Sequence, residues 1–87
     1  MQIEVVTFTV TTDDESFLAL NDRFQENVAY RSPGLLRRTV ACGDNGEWLD
    51  IRLWSDDSPR TMTGDASVTS EWNAVVTNLS SHTYRAL

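Results

Sequence analysis

The segment that decides the fold spans residues 35–54 and has the sequence LLRRTVACGDNGEWLDIRLW. Residues 35–42 have the composition of a strand, and residues 47–54 place Leu49, Ile51 and Leu53 at alternate positions. The intervening residues 43–46 are Gly-Asp-Asn-Gly, and Asn-Gly favours the tight turns that join antiparallel strands. The segment therefore predicts a β-hairpin.

The length of the turn decides which side chains of the hairpin share a face. A four-residue loop pairs Cys42 with Glu47 and a two-residue loop pairs Asp44 with Glu47, and both give the same faces. The face expected beneath the helices holds Leu36, Arg38, Val40, Cys42, Leu49, Ile51 and Leu53. The opposite face holds Leu35, Arg37, Thr39, Ala41, Trp48, Asp50, Arg52 and Trp54.

The flanking segments predict two further strands and two helices. Residues 2–12 are rich in Val, Thr, Ile and Phe, which favours a strand with Val6, Phe8 and Val10 towards the helices. The first helix is indicated by Phe17, Leu20, Phe24 and Val28, and the second by Val68, Trp72, Val75, Val76 and Leu79. Residues 82–87 predict a short last strand. The order βαββαβ predicts a single α+β domain over residues 1–87, ferredoxin-like, with two helices on one face of an antiparallel sheet.

The composition limits the chemistry that the chain can perform. Its 87 residues include one histidine, one cysteine and no lysine. One histidine and one cysteine cannot form a Cys/His zinc site within one chain, and a chain without lysine has no Schiff-base chemistry. No glycine-rich nucleotide-binding loop is present. We therefore expect neither a metal nor a cofactor.

The charge balance and hydropathy limit the partners and the location. Thirteen acidic residues against seven arginines give a formal charge of −6, which disfavours binding to nucleic acid. No apolar run approaches the roughly 20 residues needed to span a bilayer. The first residues lack the features of a signal peptide, and the single cysteine is free. These features predict a cytoplasmic protein without membrane contact.

The face predicted to lie opposite the helices carries Trp48 and Trp54 together with Arg37, Asp50 and Arg52. An exposed apolar patch usually marks an interface or a ligand site. A sheet packed on the sheet of a second copy, enclosing a partly polar cavity, would accommodate both kinds of side chain. The sequence therefore predicts a homodimer through the free sheet face.

Three short stretches carry a resemblance to a known family. They are SPGLLRR at residues 32–38, DNGEWLDI at 44–51 and LWSD at 53–56. Together with the element order, they resemble dimeric α/β-barrel proteins of the antibiotic-biosynthesis-monooxygenase type. The resemblance implies two ferredoxin-like subunits with facing sheets, and a small-molecule cavity either between sheet and helices or inside the barrel.

The same resemblance implies a class of reaction. Enzymes of this type include oxygenases that act on phenolic polyketides without metal or flavin, and relatives that degrade haem. The haem-degrading branch is expected to have a histidine in the second helix and an asparagine in the first strand. Here the second helix has Trp72 without a histidine, and the polar positions of the first strand are Thr7 and Thr9. The resemblance therefore favours the oxygenases.

The candidate site residues follow from the proton and charge transfers of such a reaction. His82 is the expected general base. Arg52 is expected to stabilise an enolate or phenolate, while Asp50 holds Arg52 in place. Trp72 would stack on an aromatic ligand and Asn73 would reach a ligand carbonyl. The remaining expected contacts to the substrate are Trp54, Tyr84 and Arg37. Each residue also has a structural explanation, such as core packing for Trp72 or an ion pair for Asp50 and Arg52.

Two functions stay open from the sequence. The first is a cofactor-independent monooxygenase that acts on a phenolic, polyketide-like aromatic substrate. The alternative is a non-catalytic dimer that binds a small molecule, or a polyketide cyclase of the same fold.

Overall fold

The computed structural model describes residues 1–87 as a four-stranded sheet with helices on one face. The elements are β1 (Gln2–Val10), α1 (Asp14–Asn27), a 3₁₀ turn (Ala29–Arg31), β2 (Leu35–Cys42), β3 (Trp48–Trp54), α2 (Ala66–Val75) and β4 (Val76–Arg85). All strand pairs are antiparallel, in the order β2-β3-β1-β4. This is the ferredoxin-like arrangement, so the predicted α+β fold class is confirmed.

Both helices begin at an aspartate that caps them. The Asp13 carboxylate accepts hydrogen bonds from the backbone N–H of Ser16, at 2.8 Å, and from its hydroxyl, at 2.9 Å. These bonds lower the pKa of Asp13, because they stabilise its charged form. The Asp65 carboxylate accepts the N–H groups of Ser67 and Val68 in the same way.

The end of α2 differs from the prediction. The helix ends at Val75 and β4 starts at Val76, so Leu79 lies exposed on a strand and not on a helical stripe. The run Val75-Val76-Thr77 is β-branched, which favours a strand, and it pairs with β1 through Val10↔Val76 and Thr9↔Thr77. The tertiary pairing therefore overrides the helix-like spacing.

The hairpin register also differs from the prediction. Cys42 pairs with Trp48, so the loop covers residues 43–47 and is closed by a 2.8 Å bond from the Gly43 N–H to the Glu47 carbonyl. A loop one residue longer than the predicted four-residue loop moves every side chain of β3 to the other face. The predicted faces of β3 are therefore wrong: Trp48, Asp50, Arg52 and Trp54 lie under the helices, and Leu49, Ile51 and Leu53 lie on the free face.

A bulge in β2 changes the predicted face of one further pair. The register shifts between Leu35 and Arg37, so Leu35 packs against the core while Leu36 is exposed, the reverse of the expectation. The rest of β2 follows the prediction. Arg38 is buried and Val40 packs against the core, whereas Cys42 is exposed at the strand end.

Aromatic side chains fill the space between the sheet and the helices. The Phe24 and Trp72 rings stack with their centroids 4.2 Å apart, and Phe17 lies 4.7 Å from Trp48 and 5.8 Å from Phe8. The buried residues Val6, Leu20, Val28, Ala29 and Val68 complete this core. The predicted core positions of β1 and α1 are thus confirmed.

Candidate functional site

Four charged side chains form a connected group on the sheet face under the helices. We call this group, Glu4, Arg38, Asp50 and Arg52, the inner-face network. The Asp50 side chain has no exposed surface, and its Oδ2 accepts hydrogen bonds from Nε of Arg38 at 3.1 Å and from Nη2 of Arg52 at 3.0 Å. Arg38, Arg52 and Glu4 lie side by side across β2, β3 and β1 because they are paired in the sheet.

Arg38 forms the buried end of the inner-face network. Its Nη2 donates to Oδ1 of Asn21 at 2.8 Å, and its Nη1 donates to Oε1 of Gln25 at 3.3 Å. Its guanidinium carbon lies 5.1 Å from the ring centroid of Phe24 and 5.4 Å from that of Trp72. Burial lowers the pKa of Arg38, and the charge of Asp50 acts in the opposite direction.

Arg52 and Glu4 form the accessible end of the inner-face network. Their side chains are 12% and 15% exposed, and Arg52 Nη1 lies 3.4 Å from Oε1 of Glu4. Glu4 also accepts a bond from Nε1 of Trp54, at 3.1 Å, and one from the Ser81 hydroxyl, at 3.1 Å. Ser81 and Thr83, on the neighbouring strand β4, are exposed, so a small molecule can approach this end across β4.

The structure brings four of the predicted site residues to one region. Asp50 and Arg52 are bonded directly, and Trp54 joins them through Glu4. Trp72 faces Asp50 from the helix layer, with the Arg38 guanidinium between them. The ion pair of Asp50 and Arg52 thus lies under the helices and not inside a dimer barrel, which corrects its predicted position.

The other predicted site residues lie elsewhere. His82 and Tyr84 are exposed on the free sheet face, because they pair with Val5 and Ile3 of β1. Arg37 is exposed on the same face, opposite Leu53. Asn73 is exposed on α2. His82 and Arg52 are therefore on opposite faces of the sheet, and the predicted catalytic pair does not share one pocket.

Glu4, Arg38 and Asn21 are bonded to this region but are not among the predicted site residues. A signal for Arg38 was present, because it was the only charged side chain on the predicted helix-facing side of β2. A buried arginine needs a carboxylate partner, and Asp50 is the only acid within β3. Asp50 can lie beside Arg38 only if its side chain is on the helix-facing side of β3, as it is in the structure.

The interior around the inner-face network is filled. No buried side-chain nitrogen or oxygen lacks a hydrogen-bond partner. The concave regions of the molecule are four open depressions at the surface. None of the helices is both long and apolar enough to cross a membrane.

Comparisons with known proteins support the fold. Neither a protein-family model nor a curated protein matches the chain. Among solved structures, it is similar to a "putative antibiotic biosynthesis monooxygenase" from Deinococcus radiodurans, with 18% sequence identity and a TM-score of 0.65. The match covers 100% of this chain and 93% of that chain. The fold expected from the three short stretches is therefore confirmed.

Proposed function

We propose that this chain, which has the fold of the antibiotic-biosynthesis-monooxygenase type, is a cofactor-independent monooxygenase acting on a phenolic aromatic substrate. The observation that carries the proposal is the partly buried Arg52 side chain, 12% exposed, beside the Glu4 carboxylate and bonded to the buried Asp50. The similar protein from Deinococcus radiodurans is named a "putative antibiotic biosynthesis monooxygenase", and this name supports a monooxygenase reaction.

The two accessible side chains have complementary roles in this proposal. A phenolic substrate approaches across Ser81 and Thr83, and its oxygen lies against Arg52. The guanidinium stabilises the phenolate or enolate that forms, because a fixed charge in a partly buried site needs little rearrangement. Glu4 accepts the proton. Asp50 holds Arg52 in position through two bonds, from Nε at 3.2 Å and from Nη2 at 3.0 Å.

The oxidation balances with dioxygen as the only co-reactant. A substrate with a CH₂ group between phenolic rings loses a proton to give a carbanion, and the carbanion carbon bonds to dioxygen. The peroxide anion that results takes the proton back from Glu4, and the hydroperoxide then loses water and becomes a ketone. One oxygen atom stays in the product and the other leaves as water, so the substrate supplies all four electrons.

Arg52→Gln tests this assignment. With a panel of phenolic anthrones and oxygen uptake as the measurement, we expect the variant to lose about 10²–10³-fold in kcat, because the stabilising charge is removed. Arg31→Gln, at an exposed arginine outside every ion pair, is the matched control and should keep the full rate. Absence of any acceleration over buffer with the unchanged protein would reject the oxygenase. Loss of rate in His82→Ala but not in Arg52→Gln would place the reaction on the other sheet face.

We also propose that the protein acts as a homodimer through the free sheet face. That face carries the apolar side chains Ile3, Val5, Leu49, Ile51 and Leu53. Ile51 and Tyr84 are exposed in the single chain, so a second copy of the same sheet would remove them from water.

Ile51→Asp tests the dimer. A carboxylate placed between two facing sheets would have to leave water, so we expect the variant to sediment as a monomer at micromolar concentration while the unchanged protein sediments as a dimer. Ile51 is already exposed in the single chain, so the fold should be retained. Leu18→Asp, on the exposed side of α1, is the control and should stay dimeric. A monomeric unchanged protein would contradict the proposal.

One observation favours a second candidate function, a dimer that binds a small molecule without transforming it. The aromatic core and the satisfied inner-face network leave no enclosed cavity between sheet and helices. Such a protein would bind phenolic compounds at the accessible end of the network. Binding without oxygen uptake, across the same panel, would separate this candidate from the oxygenase.

A further inference from the structure

An open depression of about 470 Å³ lies where β1 begins and β4 ends. It is lined by Gln2, Asp56, Arg60, Thr83, Tyr84 and Arg85. Gln2 pairs with Arg85, and Thr83 pairs with Glu4. The depression therefore adjoins the accessible end of the inner-face network.

The depression has an excess of positive charge in an acidic protein. Arg60 and Arg85 are exposed, and neither forms an ion pair within the chain. Asp56 is the only carboxylate in the lining, and it is paired with the amino group of Met1. Two guanidinium groups without a counter-charge thus line one concave surface, although acidic residues outnumber arginines in the chain.

The backbone at Arg60 is strained. Its φ is 56°, a left-handed conformation that is strained for a residue with a Cβ. The Arg60 N–H donates to the Ser58 hydroxyl at 3.0 Å, and that hydroxyl donates to the Pro33 carbonyl at 2.9 Å. Gly34 lets this loop approach, since a Cβ there would lie 2.4 Å from Cβ of Ser58. The loop is thus anchored to the start of β2 and holds Arg60 at the depression.

We propose that Arg60 and Arg85 bind the carboxylate of a small aromatic acid. A guanidinium matches the planar carboxylate with two parallel hydrogen bonds, and Arg85 and Thr83 lie on the same sheet face as Glu4. Inorganic phosphate also fits guanidinium groups, so it is the competing anion that the experiment has to separate from the carboxylate. The carboxylate of the ligand is therefore required for binding in this depression. That its ring extends over Thr83 to Glu4 and Arg52 rests on the proposed function.

The probe for this site is 4-hydroxybenzoate, which carries both the carboxylate and the phenol. Binding is measured by isothermal titration calorimetry at low ionic strength, with phenol and inorganic phosphate as comparison ligands. We expect saturable binding of 4-hydroxybenzoate that weakens with salt and falls at least 10-fold in the double variant Arg60→Gln/Arg85→Gln. Arg31→Gln should bind as the unchanged protein does. Equal affinity for phenol, displacement by phosphate, or an unaffected double variant would each overturn the proposal.

Arg60→Gly gives a second readout that does not depend on the double variant. Glycine adopts positive φ without strain, so we expect a higher melting temperature together with weaker binding of 4-hydroxybenzoate. A variant that is more stable and binds equally well would reject a ligand role for Arg60.

Arg52→Gln should lose oxygen uptake and keep carboxylate binding. Unchanged oxygen uptake without binding of 4-hydroxybenzoate would therefore reject the carboxylate site alone. Binding of 4-hydroxybenzoate without oxygen uptake would reject the oxygenase alone.

Discussion

Replacing Asp50 by Asn should lower the free energy of unfolding by about 3–5 kcal/mol, because it leaves a buried guanidinium without its counter-charge. The side chains of Arg38 and Asp50 have no exposed surface, and Asp50 is the only carboxylate that Arg38 contacts. Domains of this size are stable by only about 5–15 kcal/mol, so the loss is a large fraction of the total. Urea denaturation followed by tryptophan fluorescence measures it.

Arg23→Gln is the matched control for Asp50→Asn. It breaks the ion pair of Arg23 with Glu71, whose side chains are 52% and 48% exposed, and it should cost less than about 1 kcal/mol. The double variant Asp50→Leu/Arg38→Met should recover much of the loss, since both charges are removed together. If Asp50→Asn were as mild as Arg23→Gln, the buried pair would not be formed in solution.

The second large effect is expected for Trp72→Ala, which should cost about 3–5 kcal/mol by opening a cavity in the aromatic core. The Trp72 ring lies 4.2 Å from that of Phe24, 5.2 Å from that of Phe17 and 5.7 Å from that of Phe8. Asn73→Ala, at the adjacent exposed position, should change the stability by no more than about 0.5 kcal/mol. Thermal and urea unfolding of the two variants provide the comparison.

Indole gives a direct check on the cavity of Trp72→Ala. An apolar cavity of this kind binds apolar molecules of matching size, so indole should raise the melting temperature of the variant but not that of the unchanged protein. A Trp72→Ala protein with undiminished stability would mean that the ring is not part of the packed core. The Trp72 ring would then contact a ligand, which is the other role predicted for it from the sequence.

The sequence predicts most of the fold because local signals and tertiary packing agree there. The stripe from Phe17 to Val28 and the alternation of Val6 and Phe8 each define one apolar face, and both faces are buried in the same core. The end of α2 could not be predicted from spacing, because Val76 and Leu79 continue the helical stripe of Val68, Trp72 and Val75. Pairing with β1 places these two residues in a strand instead.

The site was harder to predict than the fold because it depends on one loop length. Asp50 and Arg52 are predicted on the face opposite the helices but lie beneath the helices, because the loop at residues 43–47 differs by an odd number of residues from both predicted loops. His82 was chosen because it is the only histidine. Chemical type alone does not reveal that a residue lies across the sheet from its intended partner.

Because no loop residue connects α2 to β4, relatives of this protein are limited in where their chains can vary in length. Val75 ends the helix and Val76 begins the strand, with no connecting residue. An insertion or deletion of one residue within β4 would exchange Ser81 and Thr83 with His82 on the two faces of the sheet. Length changes in homologues should therefore accumulate between residues 55 and 65, where the chain is neither helix nor strand, and avoid this junction.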